Sequence, residues 1–372
     1  EIRADQPVEE LSIDVQQRVE ILKLLYLGAD VLILDEPTAV LGPVETEKLF
    51  ETLRALAERG ATVVIITHKL REVMSIASRV TVMRHGVVVG RAEKGEFSED
   101  QLAEEMLGHA LPSIPAPADR APGDVALRTA GLWVRGDRGE TAIEGIDLEL
   151  RGGEIVGLAG VEGNGQVELC QALSGLRKPS DGSIEVLGRD LTGGGPADFS
   201  DSGVGVITED RLRWDVIVDL SLADNLALSA IRSGRYSRAG FLRKRAIRRD
   251  AEQLLKEYDV RPPDPTAPML SLSGGNQQKV VIARECSAAP KVLIASHPTR
   301  GLDVGASGFV AEQLVKLRDG GCAVLLNSTD LDELMEVCDR IVALYRGRIL
   351  LSAPVHQLDI ASIARAITGS GA

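Results

Sequence analysis

Apolar residues along this chain follow two periods. Short runs rich in aliphatic and β-branched residues, such as Val31-Leu32-Ile33-Leu34, Val63-Val64-Ile65-Ile66 and Val324-Leu325-Leu326, alternate with longer segments whose apolar positions recur every three or four residues. The runs predict short buried strands and the longer segments amphipathic helices. From Asp14 to Leu27 the helical period puts Val15, Val19, Leu22 and Tyr26 on one face, with Gly28 as C-cap. Leu49, Leu53 and Leu56 mark a second helix from Val44 to Arg59, which Gly60 ends. Ala61 to Thr67 is another buried strand, and it delivers His68 at its end. A helix over Leu70 to Ala77, hairpin strands Arg79 to Arg84 and Gly86 to Arg91, and an acidic helix Ser98 to Leu107 follow. Val125 to Leu150 opens a further set of strands, Val204 to Thr208 is another, and Ser221 to Pro268 reads as helices. Strands alternating with helices predict an α/β fold.

The pattern occurs twice. Leu11-Ser12-Ile13-Asp14-Val15-Gln16-Gln17-Arg18 aligns with Leu272-Ser273-Gly274-Gly275-Asn276-Gln277-Gln278-Lys279 at an offset of 261 residues. The same offset pairs Pro37-Thr38 with Pro298-Thr299, Leu41 with Leu302, Gly60 with Gly321, Arg79 with Arg340 and Gly86 with Gly347. An ungapped register of that length predicts two homologous domains. The expected division is 1–110 for the first, 111–124 for an extended linker containing Pro112, Pro115, Pro117 and Pro122, and 125–372 for the second.

The chemistry centres on Asp35-Glu36-Pro37-Thr38, where the Val31 strand ends. Open α/β sheets place ligands at the carboxyl ends of their strands. Asp35 is placed to hold a hydrated Mg2+, and Glu36 to polarise a water against a phosphate. The plainer alternative is a turn that only exits a strand. In the second domain Gly160-Val161-Glu162-Gly163-Asn164-Gly165-Gln166-Val167 joins the apolar run Glu154 to Ala159 to a helix from Val167 to Leu173. Strand, glycine loop and helix make a phosphate-binding loop, because glycines let backbone N–H groups turn inward and the helix N-terminus adds a favourable field. At the 261 offset the first domain's own loop would lie ahead of Glu1, so the chain is expected to be an N-terminally incomplete piece of a longer protein.

Composition narrows the classes. The net charge of −13 argues against a general nucleic-acid binder, and 3% aromatics leave few stacking platforms for single strands. No apolar run approaches the roughly 20 residues of a membrane span. Cys170, Cys286, Cys322 and Cys338 have no metal or redox spacing and read as small buried residues of a reducing compartment. The basic run Arg243-Lys244-Arg245 with Arg248-Arg249 reads as a solvated face, or else as a contact for an acidic partner.

Together these motifs resemble ATP-binding cassette ATPases. Leu272-Ser273-Gly274-Gly275-Asn276-Gln277-Gln278 looks like the family's signature sequence, Leu32 to Thr38 like its Walker B strand with the catalytic glutamate, and His68 like its switch histidine. Glu162 to Gln166, Glu209-Asp210-Arg211 and Pro298 to Ala306 are similar to the tandem ATPase subunits of simple-sugar and nucleoside importers. The resemblance implies two tandem P-loop NTPase domains with a mixed sheet core and a helical subdomain, the first incomplete. It implies ATP and Mg2+ as cofactors, two membrane permease subunits and, indirectly, a solute-binding protein as partners, no nucleic acid, no membrane span of its own, and a place on the cytoplasmic face of the cell membrane. Head-to-tail pairing would sandwich each nucleotide between one domain's P-loop and Walker B and the other's signature. Glu36 and His68 are then the catalytic residues. Asp35 (Mg2+ through water), Ser273, Gly274, Gly275, Gln278, Gly160, Gly163, Asn164, Gly165, Gln166, Val167 and Glu209 are the nucleotide-binding ones.

The two sites are not equal. Gln166 stands where the phosphate-binding Lys belongs, and Val167 where a hydroxyl would bind Mg2+. Ser296 faces Asp35 at the 261 offset, His297 faces Glu36 and Thr329 faces His68. Gln can donate a hydrogen bond but brings no charge to a phosphate. Asp14 stands where the signature expects glycine, and its carboxylate would repel a γ-phosphate. One competent and one degenerate site are therefore expected, the latter either retained as a structural or regulatory nucleotide site or drifted. A soluble tandem ATPase acting on ribosomes or DNA is the alternative, disfavoured by the short linker and the missing zinc cysteines. The solute reads as nucleoside, from Gly160 to Gln166 and Arg135-Gly136-Asp137-Arg138-Gly139, with sugar close behind.

Overall fold

A computed structural model describes residues 7–8, 13–26, 28–38, 41, 43–84, 86–107, 122–231, 234–238 and 241–370. Leu11 and Ser12, most of the proline-rich segment and the side chain of Asp14 lie outside them. The chain divides into two compact units, Glu1–Pro112 with Asp303–Gly305, and Ser113–Leu302 with Ala306–Ala372.

Unit 1 contains α1 (Ile13–Tyr26), β1 (Val31–Asp35), α2 (Pro43–Glu58), β2 (Thr62–Ile66), α3 (Leu70–Ile76), β3 (Arg79–Arg84), β4 (Val87–Glu93) and α4 (Glu99–Leu107). β1 and β2 pair in parallel, β3 and β4 as an antiparallel hairpin. Leu34, Leu41, Leu49, Phe50 and Leu53 form its core, flanked by Ile21, Leu24, Leu56, Val63, Ile65 and Ile76. Two expectations are corrected here. β1 is buried on one face only, Leu32 and Leu34 being covered whereas Val31 and Ile33 are 58% and 65% exposed, and β2 is no more than partly covered, at Val63 and Ile65. α1 turns Ile21 and Leu24 to the core, while Leu22 and Tyr26 stand exposed. Both departures have one cause: among the described residues of unit 1 no helix or sheet packs on those surfaces, so apolar periodicity there does not translate into burial.

Unit 2 opens with β5 (Val125–Arg135), β6 (Thr141–Arg151), β7 (Ile155–Ala159), α5 (Gln166–Leu173), β8 (Asp181–Val186), β9 (Arg189–Asp190), α6 (Pro196–Asp201) and β10 (Val204–Ile207). Then come α7 (Leu222–Ile231), the small hairpin β11 (Ser237–Arg238) and β12 (Phe241–Leu242), α8 (Lys244–Glu257) and α9 (Gly274–Ser287). The hairpin interrupts the stretch expected to be helical throughout. β13 (Val292–Ser296), α10 (Val304–Asp319), β14 (Ala323–Asn327), α11 (Leu331–Val337), β15 (Arg340–Tyr345), β16 (Arg348–Pro354) and α12 (Ile360–Thr368) complete the unit.

A six-stranded mixed sheet runs β10-β13-β14-β7-β15-β16, parallel except for the β15–β16 pair, and a four-stranded antiparallel sheet runs β6-β5-β8-β9. β13 and β14 are buried along their whole length. One face, with Val292, Ile294 and Leu325, packs with Leu169 and Leu173 of α5 and with Leu127 and Leu150 of the antiparallel sheet. The other, with Leu293, Ala295 and Leu326, packs with Val280, Val310 and Leu334. Fully burying one such side chain contributes about 1.5–3 kcal/mol.

The 261 offset is exact in structure as well as in sequence. Val31 pairs with Thr62 as Val292 pairs with Ala323. Arg79 pairs with Glu93 as Arg340 pairs with Pro354, and both hairpins shift register at the same step, Val82/Met83 and Ala343/Leu344. The correspondence runs on to α4 and α12, beyond the last sequence match at Gly86.

Candidate functional site

In unit 1 the parallel strands bring the expected catalytic pair together. β1 ends at Asp35, which is exposed, and the next residue kinks: Glu36 has φ 43° and its N–H donates to Ile66 O at 2.8 Å. Positive φ is costly for a residue with a β-carbon. His297 has φ 47° and donates to Asn327 O at 2.8 Å. The kink therefore belongs to the strand-to-loop geometry and not to the side chain it carries. Across from it, β2 leads through Thr67 to His68, whose Nδ1 lies 3.0 Å from Glu36 Oε1. A carboxylate and an imidazole in contact beside a second carboxylate at a sheet's carboxyl edge can polarise a water and hold a phosphate's oxygens. Asp35 also fits a hydrated Mg2+, a hard cation held through oxygen.

In unit 2 the loop from Gly160 to Gln166 stands between the central strand β7 and α5. Gly165, the residue before α5, has φ 103°, and a β-carbon there would lie 2.4 Å from Ala142 O, so only glycine fits. The first-turn N–H groups of α5 have no acceptor within the helix, which is the donor array a phosphate requires. Two side chains of the loop are committed elsewhere. Gln166 folds back, its Nε2 donating to Val161 O at 3.1 Å and filling the space above Gly160. Asn164 is buried; its Nδ2 donates to Leu344 O at 3.2 Å and Ile367 O at 3.0 Å, and its Oδ1 accepts from Arg346 N at 3.1 Å. What this loop can offer a phosphate is backbone.

Where unit 1 has carboxylates, unit 2 has none. Ser296 is buried and accepts from Asn327 Nδ2 at 2.9 Å. Burial holds the His297 imidazole below its usual pKa, with Arg300 pushing the same way and Glu209 opposing. Glu209 itself pairs with Arg300 at 2.5 Å. Beside them, burial pushes the Cys170 thiol up to about 12. Val167 has no hydroxyl and Ser296 stands where unit 1 has the Asp35 carboxylate, so these two positions give Mg2+ neither of the side-chain oxygens it would need.

The remaining expected residues divide. Ser273 is the exposed N-cap of α9, with Gly274 and Gly275 in its first turn, so hydroxyl and backbone donors are presented together. Gln278 is buried and accepts from Arg211 Nη1 at 3.0 Å. The Glu209-Asp210-Arg211 triplet thus braces the protein: Glu209 reaches Arg300 and Arg211 reaches Gln278.

Sequence reading passed over Glu72. It accepts from Thr38 Oγ1 at 2.6 Å and from Thr67 Oγ1 at 3.1 Å. Glu333, its counterpart at the 261 offset, accepts from Thr299 Oγ1 at 2.8 Å and Ser328 Oγ at 2.5 Å. Identity of the two glutamates at that offset was the available signal.

Three comparisons bear on identity. The ABC transporter family model matches residues 143–300. The nucleoside import ATP-binding protein NupA of Lactococcus lactis subsp. cremoris is 42% identical over 94% of this chain and 69% of its own length. The glucose import ATP-binding protein TsgD13 of Haloferax volcanii is 43% identical over 98% of this chain and 66% of its own. The guanosine import ATP-binding protein NupO of Bacillus subtilis is 40% identical over 100% of this chain and 72% of its own. A solved ATP-binding subunit of an ABC transporter superposes with a TM-score of 0.56 at 22% identity, covering 65% of this chain and 99% of that one, a likeness of fold. On the strength of these relatives and of the ATPase fold, the chain belongs to the family of ABC transporter ATP-binding proteins.

Proposed function

We propose that this chain is part of an ATPase that energises import of a nucleoside or a simple sugar through two membrane permease subunits at the cytoplasmic face of the membrane, supplied indirectly by a solute-binding protein. On this reading, 1–110 is the C-terminal part of a first cassette, 111–124 a linker and 125–372 a second, degenerate cassette. The observation that carries it is the contrast between units of one internal geometry. Unit 1 has Asp35 and the 3.0 Å Glu36–His68 contact, and unit 2 has Ser296, His297 and Thr329 at the same positions. Glu36 polarises the attacking water, and His68 orients it and contacts the γ-phosphate. Asp35 would hold Mg2+ through water, and the ion would supply charge neutralisation for the phosphates. Ser273, Gly274 and Gly275 present donors to a γ-phosphate at a helix N-terminus. No helix among the described residues is long and apolar enough to cross a membrane, which fits a subunit that works through membrane partners.

Both nucleoside and sugar importers stand among the relatives, so their names leave the solute class to experiment. Hydrolysis by the full-length protein, reconstituted with its permease subunits, is measured against a panel of nucleosides and pentoses. Stimulation by one class, lost in Glu36→Gln, supports the proposal and names the solute. Turnover indifferent to permease and to every solute overturns it in favour of a soluble ATPase.

A further inference from the structure

We propose that Glu72 is a positioning residue for the Glu36–His68 pair, an inference that rests on the reading of unit 1 as the hydrolytic half. One carboxylate holds two loops. Its Oε1 accepts from Thr38, two residues beyond Glu36, and its Oε2 from Thr67, immediately before His68. Lys69 closes a third side, its Nζ 3.5 Å from Glu72 Oε1 and 3.4 Å from Thr38 O. With Thr67 and Lys69 partly covered at its rim, the bracket's centre is buried, Thr38 being 1% and Glu72 8% exposed. The pair that it serves is not: the side chains of His68 and Glu36 are 26% and 42% exposed.

That difference sets the direction of control. A single contact between half-exposed groups holds little, because water competes for both partners. Charge-assisted hydrogen bonds in a dry site are short, strong and directional. The 3.0 Å approach of His68 to Glu36 is therefore imposed by the buried bracket, together with the Glu36 N–H bond to Ile66, and does not hold itself. Unit 2 isolates what the bracket does. Glu333 makes the same two bonds there although His297 and Thr329 have replaced the pair. What the glutamate fixes is the relation of the loop after the first parallel strand to the loop after the second. In unit 1 those loops carry the chemistry, so their relation sets the attack geometry. Ser328 further shows that a serine hydroxyl suffices at the Thr67 position.

The test is ATP turnover by the full-length protein with its permease subunits, reading kcat and KM separately. A misplacement of about 1 Å costs roughly 100-fold in rate. Glu72→Ala is expected to lower kcat about 10- to 100-fold with KM for ATP changed less than about twofold. Thr67→Val is expected to follow it, Thr67→Ser to restore turnover, and Glu72→Ala/Thr67→Val to be no slower than Glu72→Ala alone, as residues acting as one unit behave. Should Glu72→Ala fail to fold, the Thr67→Val and Thr67→Ser comparison carries the test. A kcat for Glu72→Ala within twofold of the parent overturns the inference, as does equal turnover by the two Thr67 variants. If Glu36→Gln is dead in the same preparation, such a result overturns the positioning role alone; if Glu36→Gln turns over normally, the reading of unit 1 fails first.

Discussion

Replacing Asn164 by alanine tests whether that side chain is a ligand or a brace. The amide makes three bonds, donating to Leu344 O and Ile367 O and accepting from Arg346 N. Alanine removes all three bonds at a residue only 8% exposed. Each buried group left unsatisfied costs about 1–3 kcal/mol, reduced where water reaches it. A total of about 2–4 kcal/mol is expected. For a unit of this size that lowers Tm by about 5–15 °C. Asn164→Asp should be no better: it keeps an acceptor for Arg346 N but sets a carboxylate against two carbonyl oxygens. Both tryptophans, Trp133 and Trp214, lie in unit 2, so fluorescence during urea unfolding reports on that unit. A loss below about 0.5 kcal/mol for Asn164→Ala would refute the brace, since surface substitutions fall within that range.

Other outcomes follow from burial. Burial pushes the Glu333 carboxyl up to about 7, against hydrogen bonds from Ser328 and Thr299 that oppose the shift. The folded state then holds a proton that the unfolded chain has released, so stability falls as pH rises from about 5 to 7 and is level above, by up to roughly 1.4 kcal/mol per pH unit for one proton. Glu333→Gln should remove that share of the slope, leaving the share of Asp215, also pushed up to about 7 by burial; an unchanged urea midpoint profile between pH 5 and 8 would count against it. Burial raises the Cys170, Cys286 and Cys322 thiols to about 12, and it raises Cys338 well above the usual thiol value. Native protein at pH 8 should resist maleimide, with labelling appearing in urea by mass spectrometry; labelling of native Cys170 would contradict its packing.

How much of this was legible in the sequence depended on whether the information was local. Strand runs, helix periods and the 261-residue repeat placed β1, β2, α2, α3 and the β3–β4 hairpin within a few residues. The repeat also located Ser296, His297 and Thr329 opposite Asp35, Glu36 and His68, because register needs no tertiary knowledge. Burial was less legible. The Val31 run and Leu22 of α1 read as core, yet an apolar residue is buried only where another element covers it. The α4 and α12 match was hidden because Glu99–Leu107 and Ile360–Thr368 share almost no residues. Asn164, Gln278 and Glu209 read as nucleotide ligands because they sit in phosphate-binding motifs. Their partners, Leu344, Ile367, Arg211 and Arg300, come from distant parts of the sequence, and a motif does not record them. Glu72 was missed for the opposite reason: a lone acid in a helix's first turn looks like an ordinary dipole partner.

The central claim is that Glu36, held against His68, is the base of a competent ATP site. The most direct measurement is single-turnover hydrolysis with radiolabelled ATP by full-length Glu36→Gln and its parent. The variant is expected to bind and retain ATP without cleaving it. Cleavage by the variant at the parent's rate would show that Glu36 is not the base.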